Sequence, residues 1–408
     1  MNCKVIDGGV TSPKGYKATG GFAGIKSGIK DMSLLVSDTD ANAAAAFTTN
    51  VVKAASVLRN MEVIAKGGKI RGIAVNSGNA NACTGLEGEA ANAKMAKTLA
   101  DKIGVSEDMV LTASTGVIGA VFPIDKVEAG IEKLFPYLGS SREDGHLAAE
   151  GIMTTDTYAK EAAVEVQLGG KTVTLGGMAK GSGMICPNMA TMLGFVTTDC
   201  AISREMLDKA LKSTIDSTFN MVSVDGDTST NDTIVVLANG EAGNPEITAE
   251  GADYEAFREA LYFINEKLAK DLVRDGEGAT KFIEANVTGV ESEEKGKILA
   301  KAIIKSNLVK AAMFGCDANW GRVLCAMGYS GADFDPKGVD VSFRSEKGSI
   351  ELLKMGTPII FDEDKALEIL KERDIIIDVT LHEGSASAKA WGCDLSYEYV
   401  KINGEYRS

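Results

Sequence analysis

The sequence predicts an α/β fold built as layers of helix on sheet. Two observations carry this. Strand patterns, either alternating or wholly apolar, recur along the chain and are interleaved with segments of helical spacing. They mix without strict strand–helix alternation, which favours a layered fold over a doubly wound parallel sheet. The first clear strand is residues 71–75, Arg71-Gly72-Ile73-Ala74-Val75, an apolar run of strand length. Residues 88–103 carry alanine, methionine and leucine at helical spacing. Residues 163–168 alternate, Gly169-Gly170 is a hairpin turn, and 171–175 return as the second strand. A β-like apolar run occupies 192–196. Helical patterns cover 204–216, 253–273, 293–313 and 363–372, and strand patterns 233–238, 339–344 and 374–381. No internal repeat or Pro/Ser-rich linker marks a boundary. The best punctuation is the glycine-rich stretch Gly176-Gly177-Met178-Ala179-Lys180-Gly181-Ser182-Gly183 near the middle.

A chain of 408 residues, 45% hydrophobic and 25% charged, has the balance of a globular protein of about two or three domains. Lysine and arginine number 43 against 57 aspartates and glutamates, a formal net charge of −14. That charge argues against nucleic acid or an anionic membrane surface as partner. The opening residues lack the apolar core of a signal peptide, and no run approaches the roughly 18 apolar residues of a membrane span. A cytoplasmic location is the expectation. Seven scattered cysteines with no Cys-x-x-Cys pair read as reduced thiols, without a structural zinc site.

The chemistry available is limited by what is scarce. There are two histidines, His146 in a polar segment and His382 after a strand-like run. No Gly-x-Ser-x-Gly elbow accompanies them, so a serine triad lacks support. No Walker motif and no Gly-x-Gly-x-x-Gly after a strand occurs, and no metal ligand set is apparent. The segment Lys180-Gly181-Ser182-Gly183-Met184-Ile185-Cys186-Pro187-Asn188-Met189-Ala190-Thr191-Met192-Leu193-Gly194-Phe195 runs from a glycine loop into the apolar run. A threonine at such a junction is a weak nucleophile unless a base stands beside it. If it is a chain terminus, its own α-amine, with an ordinary pKa of ~7.7–8.0, serves as that base without any histidine. Taken alone, Thr191 reads better as a residue that simply starts a strand, because threonines are common at loop-to-strand junctions.

The segment Gly181-Ser182-Gly183-Met184-Ile185-Cys186-Pro187-Asn188-Met189-Ala190-Thr191-Met192-Leu193 resembles the self-cleavage motif of the arginine-biosynthesis glutamate N-acetyltransferases, also called ornithine acetyltransferases. Seven further blocks share the resemblance, in one order along nearly the whole chain. They are residues 74–85 (beginning Ala74-Val75-Asn76-Ser77-Gly78-Asn79), Ser114-Thr115-Gly116-Val117-Ile118-Gly119, Met153-Thr154-Thr155-Asp156-Thr157, residues 220–232, Asp275-Gly276-Glu277-Gly278-Ala279-Thr280-Lys281, Asp317-Ala318-Asn319-Trp320-Gly321-Arg322 and the tail 399–408. Ala318 stands where some members have proline, and Ser408 replaces the more usual terminal threonine while keeping a hydroxyl.

The resemblance implies a precursor that cuts itself between Ala190 and Thr191 into an α chain, 1–190, and a β chain, 191–408. Thr191 is then the terminal nucleophile, and Thr115 with Gly116 the oxyanion hole. Thr154, Lys180, Thr191, Glu277, Asn403 and Ser408 match substrate-binding positions. The implied reaction moves acetyl from N²-acetyl-L-ornithine to L-glutamate through an acetyl-threonine. It needs no metal or organic cofactor, and the enzyme is an α₂β₂ heterotetramer. Some members also take acetyl from acetyl-CoA, which the sequence leaves open. Two rivals remain at this level. One is a self-cleaving N-terminal-nucleophile amidohydrolase or aminopeptidase, which passes the acyl group to water. The other is a binding protein that kept the fold without the activity.

Overall fold

The computed structural model describes residues 3–186 and 192–405, in two compact units. Among the described residues the first contains 3–181, 192–219 and 228–268; the second takes 182–186, 220–227 and 269–405. The chain therefore leaves the first unit inside the glycine-rich stretch that punctuates the sequence. Neither unit coincides with 1–190 or 191–408, because each holds residues from both sides of Ala190-Thr191.

Along the chain the elements are β1 (Cys3–Ile6), β2 (Tyr16–Gly21), β3 (Met32–Phe47), α1 (Ala55–Lys66), β4 (Ile70–Asn79), α2 (Gly85–Ile103), β5 (Val110–Val117), α3 (Ile124–Leu134), α4 (Arg142–Gly151), β6 (Lys160–Leu168), β7 (Lys171–Lys180), β8 (Leu193–Thr198), α5 (Arg204–Ile215), β9 (Val222–Ser223), β10 (Thr233–Ala238) and α6 (Ala252–Arg274). There follow β11 (Phe282–Val290), α7 (Glu293–Lys305), α8 (Asn307–Phe314), α9 (Trp320–Gly328), β12 (Asp340–Ser345), β13 (Gly348–Lys354), β14 (Thr357–Pro358), α10 (Glu363–Leu370), β15 (Asp374–Thr380), β16 (Ala386–Cys393) and α11 (Tyr397–Gly404). The α/β expectation holds, with most of the strands and helices read from the sequence in place.

The first unit is organised by one nine-stranded mixed sheet, ordered β1-β6-β7-β8-β10-β3-β4-β5 with β2 also on β3. β3 is the hinge of this sheet. Its register with β4 breaks between Val36 and Ala41; residues before the break pair with β2 and β4, and Asn42–Phe47 pair with β10. Leu35, Ile73 and Leu111 from one half share a core with Met178, Phe195 and Val235 from the other, with Ala148 of α4, and with Ile152 just after it. The opposite face of β3–β5, through Leu34, Ala74 and Val110, packs on Met95 and Leu99 of α2 and Val127 and Ile131 of α3. The result is helix on sheet, as the layered reading requires. The β6–β7 hairpin closes through Gly169 and Gly170, at φ 53° and 76°, the positive pair that a primed two-residue turn demands.

The second unit has a seven-stranded sheet, β14-β13-β12-β15-β11-β16-β9, covered by α7 on β11 and β16 and by α10 on β12 and β13. One expectation is corrected here. The helical pattern over 293–313 is two helices, because Ser306 takes extended backbone (φ −68°, ψ 112°) and caps α8 by accepting from Val309 N at 3.3 Å. The apolar spacing runs across the break because Ile303, Ile304 and Val309 are all buried. The helix expected over 363–372 ends at Leu370.

Candidate active site

The oxyanion pair inferred from the sequence lies at the end of β5. Thr115 is paired with Ser77 and Gly116 with Gly78 on parallel β4. Gly116 has φ +130°, and a Cβ there would run into the Gly78 and Asn79 backbone, so only glycine fits this crossing. Buried asparagines hold the surrounding backbone. Ser114 Oγ donates to Asn76 Oδ1 at 2.7 Å, and Asn76 Nδ2 donates to Asn79 O at 2.9 Å. Asn231 Nδ2 donates to Ala80 O and Ser114 O at 2.6 and 2.8 Å. The three amide bonds each pair a main-chain carbonyl away from water.

Lys180 ends β7 and is 7% exposed. Its ammonium donates to Thr154 Oγ1 at 2.7 Å and Thr115 Oγ1 at 3.4 Å. Thr115, Gly116, Thr154 and Lys180, far apart in sequence, thus meet in the first unit. Lys180 is also the cross-strand partner of Leu193, the first residue of β8, whose other neighbour is Thr233 of β10. Ala190 and Thr191 precede β8, and with Ser408 they lie outside the described residues.

The residue that sequence reasoning missed is Asp156. Its side chain is fully buried and accepts from Lys160 Nζ at 2.7 Å, Gly181 N at 2.7 Å and Thr154 N at 3.0 Å, with Lys180 Nζ at 3.9 Å. Burial alone would raise its pKa, but the Lys180 and Lys160 ammoniums and the hydrogen bonds hold it well below the usual carboxylate range. It fixes where Thr154 and Lys180 stand. It falls inside the block Met153-Thr154-Thr155-Asp156-Thr157, and that was the available signal. Asp232, beside Thr233, is the converse case. It is 2% exposed, its Oδ2 has no hydrogen-bond partner among the described residues, and burial pushes its carboxyl well above the ordinary range.

In the second unit, Glu277 is buried and accepts from Asn403 Nδ2 of α11 at 2.7 Å. A side chain at Gly183 would collide with the Glu277 carboxylate, so the glycine admits that group. The segment before the expected cut is stitched down here. Ser182 O accepts from Glu277 N at 2.9 Å, and Ser182 Oγ donates to Asp275 O at 2.5 Å. Asp225 accepts from Met184 N and Ile185 N at 2.6 and 2.9 Å. Tyr399 Oη donates to Asp225 at 3.2 Å; burial first, then the Asp225 charge, keeps this phenol protonated well past its ordinary range.

Neither histidine joins these groups. His146 Nδ1 lies 2.7 Å from Glu161, and His382 Nε2 lies 2.9 Å from Asp340. All seven cysteines are free thiols.

A profile of the ArgJ family matches residues 17–408. The chain belongs to the ArgJ family. A protein of Caldanaerobacter subterraneus subsp. tengcongensis, named arginine biosynthesis bifunctional protein ArgJ, is 51% identical over 405 residues, covering 99% of this chain and 100% of that one. A protein of the same name from Symbiobacterium thermophilum is 51% identical over 410 residues, with 99% of each chain covered. The crystal structure of the Bacillus halodurans protein of that name is 47% identical where it aligns, over 52% of this chain and 97% of that one, with a TM-score of 0.49. Among the described residues no helix is long and apolar enough to cross a membrane.

Proposed function

We propose that this ArgJ-family chain is a self-cleaving acetyltransferase of arginine biosynthesis, moving acetyl from N²-acetyl-L-ornithine to L-glutamate. The observation that carries the reading is 51% identity across 99% of the chain to proteins named for that pathway. The lysine-centred cluster of Thr115, Thr154 and Lys180, set across the strand pair from the start of β8, supports it.

The Thr191 hydroxyl attacks the acetyl carbonyl, and its proton passes to the Thr191 α-amine. The negative charge on the carbonyl oxygen is held by Thr115 and Gly116, donors whose loss ordinarily costs about 2.7–4 kcal/mol. The C–N bond breaks, the proton goes to the departing α-nitrogen, and ornithine leaves an acetyl ester on Thr191. The α-amine of glutamate attacks that ester, the Thr191 oxygen leaves and is reprotonated, and N-acetylglutamate departs. Lys180 and Thr154 take the substrate carboxylate, and Glu277 with Asn403 the ornithine ammonium; Ser408 completes the binding set. "Bifunctional" in the relatives' names supports acetyl-CoA as a second donor. The enzyme works in the cytoplasm as an α₂β₂ heterotetramer of chains 1–190 and 191–408.

A covalent intermediate requires ping-pong kinetics. With acetylornithine and glutamate both varied, the double-reciprocal lines are parallel, and N-acetylglutamate accumulates only when glutamate is present. Acetate release without glutamate dependence assigns the chain to the hydrolases instead, and intersecting lines replace the acetyl-threonine with direct transfer.

A further inference from the structure

Lys26 has no role in the chemistry above, yet it stands inside the first unit's cluster. It belongs to the loop between β2 and β3, which folds around buried Asp31: the carboxylate accepts from Ala23 N at 2.6 Å and Lys26 N at 2.9 Å. The loop is thereby set by its own backbone, and the Lys26 side chain is directed inward. Its stem lies against Gly78, where a Cβ would sit 2.7 Å from Lys26 Cγ; Gly78 is the strand partner of Gly116. Its ammonium donates to Met153 O at 2.7 Å, one residue before Thr154, which binds Lys180. Among the described residues nothing else accepts from it. An ammonium has three donors, so two remain unfilled.

The electrostatics agree with the geometry. Burial strips water from this ammonium and lowers its pKa to about 8; Asp31 and Asp156 oppose the shift, and the like charge of Lys180 adds to it. The half-buried Lys26 ammonium and the buried Lys180 ammonium repel one another here, and the buried carboxylates Asp31 and Asp156 oppose that repulsion. An anion entering here pairs the unfilled donors and relieves the repulsion.

We infer that Lys26 and Lys180 together form the α-carboxylate pocket of the acetyl-transfer site, with Lys26 the residue that selects for that carboxylate. The identity of the substrate rests on the function proposed above. In N²-acetylornithine and in glutamate one carbon separates the α-carboxylate from the reacting nitrogen. Its cation must therefore stand beside the oxyanion turn, and the Lys26 stem against Gly78 and the Lys180 contact with Thr115 both meet that condition. Thr154 and Asp156 position Lys180; Met153 O and the Asp31 loop position Lys26.

The test compares N²-acetyl-L-ornithine with its carboxamide, glutamate being the acceptor, in the wild type and in Lys26→Met, which keeps the apolar stem. A charge-assisted contact to the carboxylate predicts that kcat/KM for the acid falls about 10- to 100-fold, mostly through KM, while the amide loses only a few-fold. Lys26→Gln gives the same split. Equal losses for acid and amide, or no loss, overturn the inference. A second arm does not need turnover. In protein labelled at lysine ¹³Cε, the Lys26 signal, assigned by its absence in the variant, is followed against acetate with chloride as the ionic-strength control. A shift with acetate and a raised ammonium pKa are expected; a signal that acetate leaves unmoved overturns the pocket. Wild-type protein that transfers no acetyl while Lys26 still responds to acetate refutes the proposed function and leaves the carboxylate pocket standing.

Discussion

Asp156 shows how one buried carboxylate arranges a site. Two ammoniums share it, and it draws the backbone N–H groups of Thr154 and Gly181 onto the same atoms. Asp156→Asn keeps the shape and removes the charge, which takes from buried Lys160 and Lys180 the carboxylate that they share. Breaking a buried pair from one side costs about 3–5 kcal/mol. The melting temperature is expected to fall by about 3–6 °C. The sign of the pH dependence follows from the lowered pKa. The folded carboxyl ionises more readily than the unfolded one, so its stabilisation is present above about pH 4 and lost as pH falls below that. The stability gap between wild type and variant therefore narrows on acidification from neutral pH toward pH ~3. Urea unfolding at several pH values checks this, and a gap that stays constant refutes it.

At the scale of elements, the crossing of β4 and β5 leaves no room for a single methyl group at Gly116. Gly116→Ala puts a Cβ into the Gly78 backbone at a φ that alanine rarely adopts. Either the strands separate or the Thr115–Gly116 turn rotates, and the donors proposed for the oxyanion are misaimed in both cases. Transfer should fall about 10²–10³-fold. Gly119→Ala is the control, because Gly119 also has a positive φ, +77°, but open space around its Cβ position. That variant bears only the backbone strain, about 1–3 kcal/mol, and keeps its activity. Comparable inactivation of both variants would attribute the Gly116 effect to general strain and not to the crossing. Asp225 acts similarly on the second unit, where it anchors Met184 and Ile185 just ahead of the expected cut.

On the scale of the whole molecule, the cleavage proposed at Ala190-Thr191 would not release the two pieces. β8, after the proposed cut, is hydrogen-bonded to β7, before it, and β10 likewise pairs with β3. Purified protein is expected to run as two bands on a denaturing gel, the second opening on Thr191-Met192-Leu193, and as one particle under native conditions. Thr191→Ala has no hydroxyl to attack the preceding carbonyl and remains a single chain. N-terminal sequencing that finds no chain beginning at Thr191 in the wild type would remove the nucleophile from the mechanism.

By itself, the sequence determined what depends on neighbours along the chain. The β6–β7 hairpin follows from Gly169-Gly170, and α2, α5 and α6 from their apolar spacing, because period and turn chemistry are local. Through resemblance it also pointed to Thr115, Gly116, Thr154, Lys180, Glu277 and Asn403, and the structure gathers the first four into one cluster and joins the last two. What only the tertiary structure decided depends on contacts between distant segments. β3 carries Ala43-Ala44-Ala45-Ala46, a weak strand former, and is a strand there because each of these residues pairs with β10. Ser306 interrupts an unbroken apolar period because its backbone turns and its side chain caps the next helix. Asp156 and Lys26 look like ordinary solvated charges in the sequence. Only the folding of the β2–β3 loop, the segment after α4 and the end of β7 onto one another removes their water and sets their charges against each other.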